Sequence, residues 1–229
     1  MNPENPQIAI LGLGSRSTLF YIEELNTRYQ KQLGNYHTFP CLLYNIDFNT
    51  INPFLPDRFD VLVPQLTLYL NHLFTFPINH CIIPNITLHQ TYDSAQLKHP
   101  ILHPIKLVID FIKNNEIENV TIIGSKYSME GSYISAQLKE EYIQTYIPKA
   151  EDIEAFDTLR QKIYNRTETF QDIEKYKTLI NHYSKQTHIL IACTELSILH
   201  QKIQSNNRVI DLALLQIEKV LTLSIETAN

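Results

Sequence analysis

The sequence predicts an α/β protein of two pseudo-symmetric, Rossmann-like halves, each with a parallel sheet, and a cleft between the halves. Two observations indicate this class. Short apolar runs rich in β-branched residues alternate with segments of helical periodicity along most of the 229 residues. Two strand–loop segments also recur at a separation of about 110 residues. We expect residues 1–97 with 206–229 to form the first half, and residues 98–205 to form the second.

Three strands and two long helices are predicted in the first half. The opening run, Gln7 to Leu11, is apolar and β-branched, as expected for a buried strand. Ser17 or Thr18 can cap the helix that follows, because a hydroxyl oxygen accepts hydrogen bonds from free backbone N–H groups. The later elements are a strand over 40–46, a helix with leucines at 62, 66, 70 and 73 that bends or restarts at Pro64, and a strand ending at Pro84.

The second half repeats this alternation. Strand–loop–helix units of this kind form parallel sheets with helices on both faces. Since ligands bind beyond the carboxyl ends of parallel strands, we expect the loops after the strands to converge on the cleft. In order, the predicted elements are a helix over 104–115, a strand over 119–123, a helix through Leu138 and Tyr142, a charged helical region over 152–185, a strand over 187–192 followed by a helix, a strand over 208–210, and a closing helix from Asp211.

Composition narrows the functional classes. The formal net charge of −5 leaves no basic excess to neutralise phosphates, which argues against a nucleic-acid partner. No apolar run approaches the roughly 20 residues that span a bilayer, and the first six residues lack the features of a secretory signal. Three cysteines without a CxxC spacing favour a reducing compartment. We therefore expect a cytoplasmic protein without membrane association, although export by a signal-independent route would leave the same pattern.

The turn from Gly12 to Thr18 is a candidate anion-binding loop. It lacks the third glycine of GxGxxG and the Lys-Ser/Thr pair of a P-loop, so it is a weak signal for a nucleotide. Backbone N–H groups around Gly14 and the hydroxyls of Ser17 and Thr18 would suit a carboxylate at the start of a helix. An ordinary capped turn is the alternative interpretation.

Cys193 is the candidate acid/base group. It lies where a predicted strand ends and a helix begins, and Thr194 and Glu195 follow it. The dipole and free N–H groups of a helix start lower the pKa of a thiol from about 8.5, and we expect that effect here. The alternative is a buried structural cysteine. When residues 80–87 are superimposed on 188–195, the position of Cys193 is taken in the first half by Asn85, an amide that cannot ionise.

His89 is a second titratable candidate, four residues after Asn85. An unperturbed histidine titrates near neutrality and can serve as a base. The alternative is a surface or core histidine whose ring nitrogens are hydrogen-bonded within the protein and which takes no part in catalysis. The sequence contains no HExxH, CxxC or clustered carboxylate pair, so we expect no catalytic metal.

Five segments follow one another in an order that is typical of one family. They are the turn 12–18, residues 44–48, residues 121–129 (Thr-Ile-Ile-Gly-Ser-Lys-Tyr-Ser-Met), residues 163–164, and residues 190–196 (Leu-Ile-Ala-Cys-Thr-Glu-Leu). Together they resemble the aspartate/glutamate racemase family. The resemblance implies two pseudo-symmetric α/β domains with an active site between them, and an isomerase that needs neither PLP nor a metal. Homodimers are common among such proteins, and we expect one here.

In that family, a cysteine from each half flanks the α-carbon of the substrate. One thiolate removes the α-proton, and the opposite thiol delivers a proton to the other face. The family's first motif, Cys-Asn-Thr-small-His, reads Asn85-Ile86-Thr87-Leu88-His89 in this sequence. Thr87 and His89 are therefore kept, whereas Asn85 replaces the cysteine and Ile86 replaces an asparagine that binds carboxylate.

No neighbouring thiol is expected to replace the missing one. Cys81 lies four residues before Asn85, which is roughly 13 Å in a regular strand. Thr87 would need activation by a neighbour such as His89. His89 itself is the better base if it reaches the substrate.

The resemblance assigns roles to the residues at matching positions. The catalytic candidates are Cys193, His89, Thr87 and Glu195, with Cys193 as the retained acid/base group and with Glu195 and His89 tuning or orienting it. The predicted substrate-binding residues are Gly14, Ser17, Thr18, Asn85, Ser125, Ser128 and Thr194. No motif fixes the group that would bind a distal carboxylate, and the candidates are Arg16, Lys126 and Arg166.

We expect, from the resemblance, a cofactor-independent enzyme that acts at the α-carbon of a small acidic amino acid. Two alternatives stay open. A single thiol is sufficient for a decarboxylase or isomerase of a dicarboxylate, since it protonates one face of an enediolate. A catalytically degenerate carboxylate-binding protein is the alternative outside the enzyme classes.

Overall fold

Two parallel β-sheets organise the chain in the computed structural model, which describes residues 7–203 and 208–226. The first sheet has the strand order β2-β1-β3, and the second has the order β5-β4-β6-β7. Every pairing in both sheets is parallel. The strands are β1 (Ile8–Gly12), β2 (Leu42–Asn45), β3 (His80–Ile82), β4 (Asn119–Gly124), β5 (Gln144–Tyr146), β6 (His188–Ala192) and β7 (Val209–Asp211).

Ten α-helices connect and cover these strands within the described ranges. Two short 3₁₀ turns, Phe48–Thr50 and Asn52–Phe54, follow β2. The α-helices are α1 (Ser15–Leu33), α2 (Phe59–Leu73), α3 (Leu88–Ser94), α4 (Pro104–Asn114), α5 (Lys126–Glu130), α6 (Ser132–Glu140), α7 (Ala150–Asn165), α8 (Phe170–Tyr183), α9 (Thr194–His200) and α10 (Leu212–Glu226).

Contacts between residues divide the chain into two compact units. The first unit extends to His103 and resumes at Gln216, so that it contains β1–β3, α1–α3 and most of α10. The second unit runs from Pro104 to Leu215 and contains β4–β7 with α4–α9. The two parallel α/β sheets confirm the predicted fold class. The division into domains at 97/98 and 205/206 stays a prediction.

Burial explains why the apolar runs form strands. All five residues of β1 are buried, as are the last four residues of β6, which is typical of parallel sheets covered on both faces. In α2, the four predicted leucines face the core of the first unit and are fully buried. The helix runs unbroken through Pro64, where a bend or restart was expected. The leucine face lies on both sides of Pro64, and its packing outweighs the hydrogen bond that proline cannot donate.

Three local features differ from the predicted elements. The strand β5 was not predicted, because Gln-Thr-Tyr is polar and its residues are exposed or half-buried. The predicted helix through Tyr142 is two helices, since the backbone is extended at Gly131 and the second helix ends at Glu140. The charged region over 152–185 is also two helices, because Arg166 adopts a left-handed conformation at the end of α7.

Some predictions fall on residues that the structure does not describe. Residues 1–6, on which the prediction of no signal sequence rests, lie outside the described residues, as do the parts 204–207 and 227–229 of the predicted halves. Within the described ranges, every helix is too short or too polar to span a bilayer.

The capping box at the start of α8 gives a test of the boundary between α7 and α8. Thr169 Oγ1 accepts a hydrogen bond from the backbone N–H of Asp172, and Asp172 Oδ2 accepts one from the backbone N–H of Thr169. We expect Thr169→Ala to lower the free energy of unfolding by about 1 kcal/mol, measured by urea denaturation. Thr178→Ala is the matched control, because Thr178 is exposed inside the same helix, and it should change stability by less than about 0.5 kcal/mol. Equal effects of the two substitutions would contradict the assigned helix start.

Candidate active site

The second unit places two predicted loops at one edge of its sheet. Gly124 at the end of β4 pairs with Ala192 at the end of β6, so Ser125 and Cys193 leave neighbouring strands at the same level. A Cβ atom at Gly124 would lie 3.0 Å from the carbonyl oxygen of Ala192. Glycine therefore permits the two strand ends to stay this close.

Cys193 is buried and holds its proton tightly. It precedes α9, is 7% exposed, and donates a hydrogen bond from Sγ to Glu195 Oε2 at 3.1 Å. Burial, followed by the negative charge of Glu195, raises the pKa of the Cys193 thiol well above its usual range. The expected lowering by the helix start is wrong. The charge of Arg160 and the backbone N–H of Leu196 do lower the pKa of the thiol, but burial outweighs both.

Arg160 is a site residue that the sequence did not reveal. It lies on α7, and its Nε donates to Asp157 Oδ1 at 2.7 Å. The same carboxylate oxygen accepts the backbone N–H of Lys126 at 2.8 Å, at the start of α5. Arg160 also interacts electrostatically with Cys193 and Glu195. The one available signal was an Asp–Arg pair spaced i, i+3 on a predicted helix, which is also common on solvated faces.

The loop after β4 is held by its own hydroxyls. Ser125 Oγ accepts the backbone N–H of Ser128 at 3.1 Å and lies 2.8 Å from Ser128 Oγ. Lys126, a candidate for binding a distal carboxylate, forms an exposed ion pair with Glu154. Thr194 is buried at the first position of α9. The predicted residues of this half therefore do gather on neighbouring strand ends.

The first unit has a comparable loop after β1. The backbone N–H of Leu13 donates to Thr18 Oγ1 at 3.0 Å, and Ser17 Oγ donates to the carbonyl oxygen of Gly14 at 3.1 Å. Both side chains are buried, so they fix the turn as well as line it. Arg16 is half-buried in the same turn, and its Nε is buried without a hydrogen-bond partner in the described part of the chain.

Asn85 and Thr87 follow β3, a strand adjacent to β1. Asn85 Oδ1 accepts the backbone N–H of Leu88 at 2.9 Å, so the amide caps the start of α3. Thr87 is half-buried and makes no capping hydrogen bond with its side chain. Asn85, at the position where the resemblance predicts a cysteine, thus has a structural role in this chain.

His89 is a core histidine that stays neutral. It is 0% exposed, and its Nδ1 lies 2.9 Å from the carbonyl oxygen of Asn85, so Nδ1 carries the proton. Burial, followed by the charge of His103, lowers the pKa of His89 to about 3. The His103 ring packs edge-on at a centroid distance of 4.9 Å, and its Nε2 lies 3.3 Å from Asp93 Oδ2. The expectation that His89 titrates near neutrality is therefore wrong, and the alternative of a core histidine agrees with the structure.

The described residues contain no group of three or more histidine, cysteine, aspartate or glutamate side chains that could hold a metal ion. In the second unit, the candidate residues form one thiol–carboxylate contact with a nearby guanidinium. The candidate residues of the first unit, taken by itself, are hydroxyls, backbone N–H groups and an amide.

Solved structures with a similar fold were found by comparison. An aspartate racemase homologue from Pyrococcus horikoshii superimposes with a TM-score of 0.78 and 17% sequence identity, over 96% of this chain and 99% of that chain. The aspartate racemase of Picrophilus torridus gives a TM-score of 0.73 at 20% identity, over 96% of this chain and 94% of that chain. The fold is that of the aspartate and glutamate racemases.

A third neighbour carries a ligand in its crystal. The glutamate racemase of Francisella tularensis, solved in complex with D-glutamate, gives a TM-score of 0.64 at 15% identity, over 99% of this chain and 83% of that chain. No family model matches the sequence. The resemblance in fold that the motifs predicted is confirmed, and the roles of individual residues stay predictions.

The buried state of His89 gives a prediction for stability against pH. Its pKa is lower in the folded chain than in the unfolded chain, so its stabilising contribution is present above about pH 6.5 and is lost as the pH falls towards 3. Between pH 7.5 and pH 5, the wild-type protein should lose about 2 kcal/mol more unfolding free energy than His89→Asn. Asparagine keeps a donor near the position of Nδ1 and has no ionisable group. Urea denaturation at both pH values measures the difference.

An exposed histidine provides the control for this measurement. His182 lies on the surface of α8, so His182→Asn tests whether the loss of a histidine outside the core has the same effect. If His89→Asn and the wild-type protein lose the same stability between the two pH values, His89 is not held neutral by the fold.

Proposed function

We propose that this chain is a cofactor-independent enzyme that transfers a proton at the α-carbon of a small acidic amino acid, with Cys193 as its acid/base group. The observation that carries the proposal is the contact between Cys193 Sγ and Glu195 Oε2 at a strand end. It lies in a fold shared with aspartate and glutamate racemases. A thiol–carboxylate pair of this kind has the two proton positions that acid/base chemistry requires.

The raised pKa of Cys193 suits a weak carbon acid. A thiol that is protonated at neutral pH is ready to donate its proton to a carbanion. When the proton instead moves from Sγ to Glu195 Oε2, the thiolate that remains is a strong base towards the α-hydrogen. The thiolate takes the α-hydrogen as a proton, so sulfur is protonated again while Glu195 still holds the first proton. Sulfur, after exchange of its proton with solvent, then donates a proton back to the carbanion, and Glu195 returns its own proton to the thiolate that this step leaves.

The proposal assigns carboxylate binding to the turns that precede α1, α5 and α9. Free backbone N–H groups at the starts of helices favour an anion, and hydroxyl groups add donors. Of the three candidates for a distal carboxylate, Arg16 is favoured because its buried Nε has no protein partner in the described chain. Lys126 is paired with Glu154, and Arg166 is exposed at the end of α7. The proposed α-carboxylate ligands are Gly14, Ser17, Thr18, Ser125, Ser128 and Thr194.

The first-half motif supports a reaction on one face of the α-carbon. Asn85 has no useful basicity, and its amide oxygen is occupied as a helix cap. His89 is buried and neutral, with its proton on the nitrogen that bonds Asn85. The same observation favours a second candidate function, a one-cysteine decarboxylase or isomerase of a dicarboxylate, because one thiol is sufficient to protonate an enediolate.

Deuterium exchange tests the proposal. Incubated in deuterated water, L-aspartate or L-glutamate should exchange its α-hydrogen with retention of configuration, as followed by proton NMR and chiral chromatography. We expect Cys193→Ala to lower the exchange rate by about a hundredfold or more, since it removes the acid/base group. Cys41→Ser is the control, because it removes a thiol outside the candidate site and should leave the rate unchanged.

Other outcomes of this experiment have defined meanings. Exchange that survives Cys193→Ala would refute the assignment of the thiol. Release of carbon dioxide from malonate-type acids, lost in Cys193→Ala, would replace the proposal with the decarboxylase. Inertness towards both substrate classes, with carboxylate binding kept in Cys193→Ala, would identify a binding protein.

Restoring the missing thiol gives a further prediction. Asn85→Cys should raise the rate of aspartate racemisation at least about tenfold over the wild-type protein, because a second acid/base group would serve the other face. The substitution removes the cap of α3 and should cost about 1 kcal/mol of stability. Asn85→Ser is the matched control, since it supplies a hydroxyl for the cap but no thiol. Equal racemisation by the two variants would show that position 85 does not face the reacting carbon.

A further inference from the structure

Arg160 lies at a junction of three elements around Cys193. Helix α7 packs against α5 and α9. Its apolar residues Phe156 and Leu159 belong to the same buried cluster as Cys193 and Leu196. Arg160 directly follows Leu159 in this helix and interacts electrostatically with Cys193.

Asp157 holds the Arg160 side chain in place. One oxygen, Oδ1, accepts both Arg160 Nε and the backbone N–H of Lys126, while Oδ2 accepts Gln161 Nε2 at 2.7 Å. Exposed ion pairs contribute little because both side chains stay mobile. Here the carboxylate is 13% exposed and has three donors, so it fixes the guanidinium relative to the loop after β4.

The two terminal nitrogens of Arg160 form no hydrogen bond within the described part of the chain. Nε is bonded to Asp157, and within residues 7–203 and 208–226 no hydrogen bond or ion pair is formed by Nη1 or Nη2. A guanidinium has five N–H donors in a rigid fork. Its outer edge therefore stays available to an anion near the start of α9.

The charges around Cys193 indicate that a cation would stabilise its thiolate form. The negative charge of Glu195 on α9 raises the pKa of the thiol, and Cys193 and Asp211 of β7 both raise the pKa of the buried Tyr176 on α8. Arg160 is the cation that interacts with both Cys193 and Glu195. A thiolate formed here would otherwise face negative or neutral groups in a buried site, where an unpaired charge is costly.

We propose that Arg160, oriented by Asp157, is a positioning residue that stabilises the thiolate form of Cys193. It would offset the repulsion between the thiolate and the Glu195 carboxylate, and so permit proton transfer in a site that burial otherwise keeps neutral. The inference deepens the proposed function, because it concerns the acidity of the same thiol. It does not require turnover to be tested.

Alkylation of Cys193 by iodoacetamide measures this effect. The thiolate sulfur attacks the methylene carbon, a carbon–sulfur bond forms, iodide leaves, and the thiol proton has gone to solvent. Peptide mass spectrometry at pH 8 gives the rate for each cysteine separately. Cys81 is an internal reference, since burial raises its pKa to about 12 and it is 0% exposed.

Loss of the Arg160 charge should slow alkylation. Removing an opposite charge raises a thiol pKa by about one unit. Since the nucleophilicity of sulfur increases with its pKa, the rate at fixed pH should fall about threefold to fourfold. We expect this decrease in both Arg160→Gln and Arg160→Met, whereas Arg160→Lys should stay within about twofold of the wild-type rate. Glu195→Gln should give the opposite result, a rate at least about threefold higher.

Matched variants distinguish the effect of the Arg160 charge on the alkylation rate from a change in the access of iodoacetamide or in the folding of the protein. Arg166→Gln removes the same charge at the exposed end of the same helix and should leave the Cys193 rate unchanged. Arg160→Met keeps an apolar stem for packing if Arg160→Gln fails to fold, which thermal unfolding would reveal.

The proposal is overturned by an Arg160→Met rate that is unchanged or faster, by an equal loss in Arg160→Lys, or by an equal loss in Arg166→Gln. Deuterium exchange that depends on Cys193 would stand in any of these cases, so failure of this inference and failure of the proposed function are distinguishable.

Discussion

The close approach of neighbouring strand ends is the constraint on which the candidate residues of each unit depend. A Cβ atom at Gly124 would lie 3.0 Å from Ala192 O, and one at Gly12 would lie 2.5 Å from Asn45 Oδ1. Glycine at these positions keeps each strand paired up to its last residue. The following loop then leaves at the sheet edge, where a helix begins whose first N–H groups have no intrahelical partner. After β4, two of these groups are bound by Asp157 and Ser125. The turns after β1 and β4 both lead into a helix, but their hydrogen bonds differ. Ser125 caps α5, whereas α1 begins after Gly14 without a side-chain cap, so the expected capping by Ser17 or Thr18 is wrong. Thr18 Oγ1 instead accepts the backbone N–H of Leu13 from inside the helix.

Burial, more than the helix ends, sets the protonation states around these loops. It favours the neutral form of any titratable group, so it raises the pKa of the Cys193 thiol and lowers the pKa of the His89 imidazole. The two groups therefore shift in opposite directions for one reason. A dipole at the start of the seven-residue α9 is too weak to reverse this. A full charge fixed nearby, as on Arg160, acts more strongly.

The sequence predicted most of the fold because apolar runs and helical periodicity are local signals. It missed β5, whose Gln-Thr-Tyr residues owe their conformation to pairing with β4. It also merged α7 with α8, since a left-handed Arg166 has no composition signal. In the candidate site, the positions of the loops could be predicted from the ends of the strands and from the motifs that resemble the family. The protonation states of Cys193 and His89 could not be predicted, because the burial of a side chain arises from contacts between segments that are distant in sequence. Arg160 was missed for the same reason, since its place beside Cys193 depends on the packing of α7 on α9.

The protonated, nearly inaccessible state of Cys193 also bears on its chemical durability. Peroxide oxidises a cysteine through the thiolate, which forms sulfenic acid and then irreversible higher oxides. A thiol whose proton is retained by burial and by Glu195 offers little thiolate at neutral pH. Redox-sensing cysteines are instead exposed and acidic. The burial and the hydrogen bond that keep Cys193 protonated therefore also protect its sulfur atom from oxidants.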